Sequence, residues 1–513
     1  MSNFKRKLGE FIRGEKTTSG VLTVIIVLLV LAVNVLLYTL GSYFGLYLYY
    51  PVRDDLEISG ATDSLFEDVL DSGKRVSIIF CQVRDDVESS STGSYVLNTA
   101  EQFAQRYPEL IDIEFVNITV KRKYTADNTF GEYFDPSHYQ TVNADGTKNA
   151  IVKTSVIFEC EDNFKVLSDN YTDGYSSFFT LDSSYKAVSY NGEETIAAMV
   201  KWVLTDEHKT AYFTMYHGET YDVGFANLLT CAGYEVDMLD LRTETRIPDD
   251  AGLIIISNPR SDFEKGAAGT GIVAELDLLG EYIENGGSLY VALDPFGKPL
   301  TLLEEFLSGY GITVSTEKTD SGLQRNIVRD PQSSVSSDYM SVIAKLADGG
   351  ALSSAVSDTV EKYGTSSVIL RSCAALLLSE GAEPLLMAGD SAETYAGSQR
   401  TDSSGGYCLA AAATHTSEDG KVGSIFVVPS VYLTATDSLV SGGYANRSFI
   451  YSVFENVFGR EDLPHGCKTV YYDSETLDGL TMGEARIYTA VIMLVPTVIA
   501  AVGAFIVIRR KNR

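Results

Sequence analysis

Apolar positions follow two patterns along this chain. At each end they form one long run, Val21 to Leu40 and Ile487 to Ile508, nearly free of charge. A run of about 20 apolar residues crosses a bilayer core as a helix. The runs predict membrane spans over 21–48 and 485–508, with basic cytoplasmic tails at 1–20 and 509–513. Lys5, Arg6, Lys7, Arg13 and Lys16 precede the first span, and Arg509, Arg510, Lys511 and Arg513 follow the second. Lysine and arginine mark the cytoplasmic side, so both termini are expected there and the residues between are expected extracytoplasmic, at the cell membrane. Tyr38, Tyr43, Tyr47, Tyr49 and Tyr50 cluster where the first span would leave the bilayer, as an interfacial aromatic belt does. The first run is longer than a signal-peptide core and only Gly41-Ser42 offers a weak cleavage site, so it reads as an uncleaved anchor. Asn34 is the strongly polar side chain within the first span and Pro496 the proline within the second; both are candidate helix–helix contacts, because a buried amide seeks a partner in lipid.

Between the ends, apolar residues come in short runs of strand or helix period. In a first unit, 52–206, Arg75 to Cys81 is a β-branched and aromatic run and reads as a buried strand. Tyr95 to Tyr107 has helical spacing through Val96, Ala100, Phe103 and Ala104, and stops before Pro108. Ile111 to Ile118 alternates as a strand. Ser155 to Cys160 and Phe164 to Leu167 flank Glu161-Asp-Asn as a hairpin. Glu193 to Leu204 is a helix burying Ile196, Met199, Val200 and Val203. Strand, helix, strand, hairpin, helix is the order of a thioredoxin-like α/β unit.

A second unit, 208–460, alternates strands and helices: Ala211 to Tyr216, a helix Phe225 to Cys231, Glu235 to Leu241, then Gly252 to Ser257, whose unbroken apolar run suits a strand covered on both faces. Ile272 to Ile283 is helical and stops at Gly286-Gly287. Ser288 to Leu293 is another strand. Gly423 to Val428 and a helix Arg447 to Phe458 close the unit. This alternation predicts a parallel, doubly wound sheet. The stretch 313–407, rich in Ser, Asp and Gly, reads as an inserted lobe or long loops, and 463–484 as a linker.

The chain has 513 residues and a net charge of −29. Its tails contribute about +7, leaving roughly −36 on the exposed portion, which disfavours nucleic acid and anionic lipid as ligands. Six cysteines are scattered singly, without the density of a disulfide scaffold or the pairing of a zinc site; most read as small buried apolar residues, with one or two disulfides left open for an oxidising compartment. A thiol oxidoreductase needs a second cysteine three residues beyond the first. Cys81 is followed by Gln82, Val83 and Arg84, so the first unit reads as a scaffold. No Walker A sequence is present.

The join between the units carries a family resemblance. Asn191-Gly-Glu-Glu-Thr-Ile-Ala-Ala-Met199, Tyr212-Phe-Thr-Met-Tyr-His-Gly-Glu219, Gly233-Tyr-Glu-Val236, the Ile247-Pro-Asp-Asp250 turn, Asn258-Pro259, and Leu276 through Gly287 to Pro295 resemble GldG-like proteins, auxiliary membrane-anchored subunits of ABC-type transporters. The resemblance covers about Gly192 to Pro295. It implies that the second unit is flavodoxin-like, related to class I glutamine amidotransferases. It also implies extracytoplasmic exposure and assembly with an ABC-2-type permease and a cytoplasmic ATPase. Some relatives carry further permease helices, which a partner chain must supply here.

Catalytic amidotransferase-like sheets carry a Ser or Cys nucleophile on a tight elbow. The strand ends here offer His217, Ser257-Asn258 and Asp294, and none has a Gly-x-Ser-x-Gly or Gly-x-Cys-x-Gly elbow. The expectation is therefore no enzyme, no catalytic or metal residue and no cofactor. His217-Gly218-Glu219 stands at a strand's carboxyl end, where open α/β sheets place ligands, so His217, Gly218, Glu219 and Asp294 are candidate ligand or partner contacts. The competing reading of the triplet is a structural turn whose side chains cap the next helix and tie the domains together. Two functions remain in view: a non-catalytic accessory subunit of an ABC-2-type transporter, or a stand-alone surface protein that binds or senses a ligand.

Overall fold

The computed structural model describes residues 56–472 apart from 125–129, 143–147, 170–176, 183, 265–274, 365 and 441–442. Both expected membrane spans, with Asn34 and Pro496, lie outside the described residues. Among the described residues no helix is long and apolar enough to cross a membrane. The fold is mixed α/β, with parallel and antiparallel sheets.

Residues 56–206 are built on a sheet centred on β1 (Val76–Phe80). It pairs in parallel with β2 (Ile111–Asn117), reached through helix α1 (Gly93–Arg106). Beyond β2 lie β3 (Arg122–Tyr124) and β4 (Phe130–Tyr133). On the other side of β1 comes the hairpin β5 (Ser155–Cys160) and β6 (Asn163–Ser168), both pairings antiparallel. A separate hairpin, β7 (Phe179–Leu181) and β8 (Ala187–Tyr190), leads into helix α2 (Gly192–Leu204). Val96, Ala100 and Phe103 of α1 and Ile196, Val200 and Val203 of α2 share a core with Val76, Ile78 and Phe80. Each of the valines, isoleucines and phenylalanines among them, fully buried, stabilises by about 1.5–3 kcal/mol.

The second lobe is an eleven-stranded sheet. The chain lays down β9 (Lys209–Thr214), helix α3 (Val223–Cys231), β10 (Tyr234–Leu239), β11 (Ala251–Ser257), helix α4 (Glu275–Glu284) and β12 (Ser288–Ala292). It continues through β13 (Ser341–Leu346), helix α5 (Ala351–Lys362), β14 (Val368–Arg371), β15 (Ala382–Met387) and β16 (Cys408–Thr416) to β17 (Val422–Val428) and helix α6 (Asn446–Asn456). Across the sheet the order is β10-β9-β11-β12-β17-β16-β15-β13-β14, while Ile312–Val314 and Leu376–Leu378 pair beside this path. The first five strands are mutually parallel, and the rest are antiparallel. In β11, Leu253 and Ile255 enter the core on one face of the sheet and Ile254 and Ile256 the core on the other. Apolar residues at successive positions follow from that double coverage.

Two expectations need correction. The stretch 313–407 is neither a separate lobe nor long loops, since it contributes β13, β14, β15 and α5 to the main sheet and its cover. Its Ser- and Asp-rich turn wraps the buried Asp330, whose carboxylate accepts from the backbone N–H of Gln332 (3.1 Å), Ser333 (3.0 Å) and Gly389 (3.1 Å). The start of the linker 463–484 is also ordered: β18 (Val470–Tyr471) pairs antiparallel with β8 of the first lobe, and Tyr472 N donates to Val188 O at 2.8 Å. All six cysteines are free, four of them buried.

Candidate functional site

In the parallel part of the second sheet, the order reverses between β9 and β11: the chain moves outward from β9 to β10, then returns to the other side of β9 with β11. In open α/β sheets ligands bind at such a reversal, beyond the carboxyl ends of the strands. His217 lies there. The turn after β9 takes positive φ at Tyr216 (77°) and Gly218 (81°), which folds the His217 ring back towards the sheet instead of out to solvent. Glycine is required at 218 by that φ and by Arg260, whose Cβ would lie 3.1 Å from an added methyl. The His217 carbonyl accepts from the N–H of Arg260 (2.7 Å) and Ser261 (3.0 Å), tying the turn after β9 to the turn after β11.

The imidazole is enclosed. Nδ1 is 3.2 Å from Glu219 Oε1, and Nε2 is 3.2 Å from the carboxylate of Glu275, the first residue of α4. Phe263 stacks on the ring with centroids 4.0 Å apart. Glu219 Oε2 also accepts from His217 N at 2.6 Å, and Glu275 Oε2 from Glu264 N at 2.9 Å. The three side chains are 6%, 6% and 1% exposed. Burial alone would push the imidazole pKa down, but hydrogen bonds and charge from Glu219 and Glu275 outweigh it and raise it to about 9. Burial likewise raises Glu219, and its bonds to the imidazole and to backbone N–H groups bring it below the usual carboxylate range. The group is an imidazolium between two carboxylates. With both ring nitrogens donating, it has no lone pair to take a proton at neutral pH, so it cannot act as a general base there.

His217, Gly218 and Glu219 are brought together as the sequence places them, but Asp294 stands apart. Its Oδ1 accepts from Phe296 N at 3.0 Å, its carbonyl from Gly297 N at 3.0 Å, and its carbonyl also from the Arg325 guanidinium. It shapes the turn after β12. Glu275 and Phe263, both distant in sequence, complete the enclosure and were not among the expected residues. The one sequence signal for Glu275 was an acidic residue near a helix start, where the macrodipole favours it. At the end of β11, Asn258 also takes a positive φ (59°), and its buried Oδ1 has no hydrogen-bond partner.

Elsewhere the chemistry is muted. Burial, and after it the charge of Asp169, pushes the Cys81 thiol up to about 12, so it stays protonated. Among the described residues no group of three His, Cys, Asp or Glu side chains is arranged to hold a metal. A cavity of about 460 Å³ lies between the lobes, lined by Ser64, Tyr363, Glu455, Asp462 and His465 among others. Another, about 590 Å³, lies at the amino ends of β9, β11 and β12, away from the reversal point.

No family model matches the chain, and no curated protein does. Solved structures with partial likeness include the mmIFT52 N-terminal domain, 16% identical with a TM-score of 0.35, covering 48% of this chain and 96% of that one. A putative ThuA-like protein from Bacteroides uniformis is 13% identical with a TM-score of 0.29, covering 49% and 92%. PurLQS from Thermotoga maritima is 12% identical with a TM-score of 0.28, covering 48% and 98%. Likeness at this level carries no inference about function.

Proposed function

We propose that this chain is a non-catalytic accessory subunit of an ABC-2-type transporter. In this reading it is anchored in the cell membrane by a helix at each end, with an extracytoplasmic body of a thioredoxin-like and a flavodoxin-like lobe. It works beside a permease and a cytoplasmic ATPase. The observation that carries the reading is where the described body begins and ends. Ser59, near its start, and Lys468, near its end, both donate to the carboxylate of Glu193 at the head of α2. The two ends of the described body are therefore held at one carboxylate, which supports a reading with an anchor at each end. The lobe assignments draw support from two patterns: a hairpin antiparallel to the central strand of a βαβ unit, and five parallel strands that in chain order run 2-1-3-4-5. The enclosed His217 supports a non-catalytic body, since the position where this sheet type holds ligands is filled by the protein's own side chains.

Purification of the full chain in mild detergent is expected to recover a permease and an ATPase with it; repeated recovery of the chain alone would overturn the reading. The alternative, a stand-alone surface protein that binds a ligand, is favoured by the cavity of about 460 Å³ between the lobes, a size in the range of small-molecule sites.

A further inference from the structure

The Gly192-Glu193-Glu194 sequence that opens α2 has a specific place in the fold. Successive helical residues point about 100° apart, so the two carboxylates leave the helix in different directions. The helix N-terminus favours both charges. They are 4% and 3% exposed. Glu193 faces the ends of the body: Ser59 Oγ donates to it at 2.5 Å, Ser59 N at 3.0 Å and Lys468 N at 3.1 Å. Glu194 faces the second lobe: Tyr451 OH donates to it at 2.5 Å, and the Arg447 guanidinium, one turn earlier on α6, forms an ion pair with it. One helical turn thus fastens three segments of the chain: the start of the described body, its end, and α6 of the second lobe.

We propose that Glu193 and Glu194 form a mechanical joint that passes the position of the two membrane-proximal segments to the second lobe, a role that rests on the membrane-anchored reading above. If residues 56–60 and 465–472 move apart, Glu193 loses its donors and becomes a buried, unpartnered carboxylate adjacent to a second one. Uncompensated buried charge is costly, and the Arg447 guanidinium is paired with the neighbouring carboxylate of Glu194. A guanidinium drawn towards two carboxylates holds Glu194 less firmly, which frees α6 and with it the second lobe. Motion of the second lobe acts on the terminal segments by the same route in reverse, because coupling between sites is reciprocal.

Cys467 lies in the terminal segment beside Lys468, and its thiol is held above the usual range first by burial and then by the charge of Glu193 and Glu194. Cys231, at the end of α3, lies close enough to act on that thiol electrostatically, so the second side of the joint is read on α6 itself. The test is the rate of maleimide alkylation at Cys467, mapped by peptide mass spectrometry, beside amide hydrogen exchange over Asn446–Asn456, in the full chain in detergent. Glu193→Gln is expected to accelerate both by about tenfold or more, and the milder Ser59→Ala both by about threefold, since opening of a protected segment sets the rate. Acceleration at Cys467 with α6 exchanging at its wild-type rate, or of neither, would overturn the joint. If Glu193→Gln misfolds, shown by alkylation of the fully buried Cys373, Ser59→Ala decides alone. Alkylation is read without a transporter partner, so its failure removes the joint and leaves the accessory-subunit reading standing. Failure to recover a permease removes that reading and leaves the measured coupling.

Discussion

The enclosed imidazolium makes the stability of the second lobe depend on alkaline pH. His217 rises from an ordinary 6.5 to about 9 because two carboxylates outweigh its burial. A group whose pKa is higher folded than unfolded stabilises the fold fully below its unfolded value, and that contribution is lost as the pH rises through the folded value. The window is therefore about pH 6.5 to 9, and the shift corresponds to about 3 kcal/mol. The measurement is guanidinium unfolding of the full chain in detergent, followed by circular dichroism at several pH values from 6 to 10. Wild type is expected to lose about 3 kcal/mol across the window, and His217→Gln to lose far less, since its side chain does not titrate. Glu275→Gln removes one of the two carboxylates and should move the wild-type fall to lower pH. The difference between wild type and His217→Gln isolates this residue from every other group that titrates in the same range. Parallel wild-type and His217→Gln curves would refute the enclosure as the source of the charge.

Arg447→Ala leaves Glu194 buried without its cation and should cost about 3–5 kcal/mol, read as a shift in the unfolding midpoint; replacing both residues together with methionine should recover most of it. Gly192→Ala places a methyl 1.9 Å from the Tyr190 hydroxyl oxygen, so Tyr190 must give way and about 1–3 kcal/mol should be lost, measurable in the same titration. Cys81, with its thiol at about 12, should resist alkylation at pH 8 in the native chain and react on unfolding; rapid native labelling would contradict its burial.

The legible parts of the fold were those whose sequence pattern has a single physical reading. Leu253 to Ile256 could be assigned to a central strand because only a strand covered on both faces tolerates four bulky apolar residues in a row. The helix from Glu193 and the hairpin around Glu161 were marked by period and turn chemistry. The strand Cys408–Thr416 was less legible. Its run of alanines sits on a sheet buried on both sides, so it shows no alternation, and small residues carry little strand preference. The order of β13 to β16 was hidden for a related reason: their antiparallel pairing is set by partners far away in the chain.

At the candidate site, the sequence by itself determined the turn. His217-Gly218-Glu219 follows an apolar strand, and glycine between them permits the reversal. It also determined the apolar ends, the acidic middle and the want of a nucleophile elbow. Only the tertiary structure decided that the imidazole is enclosed, because Glu275 and Phe263 reach it from later turns of the sheet. It likewise decided that Asp294 belongs to a different turn and that Ser59 and Lys468 meet on one carboxylate. Contacts between residues 134 and 275 positions apart, as Ser59 and Lys468 make with Glu193, leave no local signature: each partner follows the period and propensity of its own segment, and the geometry that joins them exists once the chain has folded.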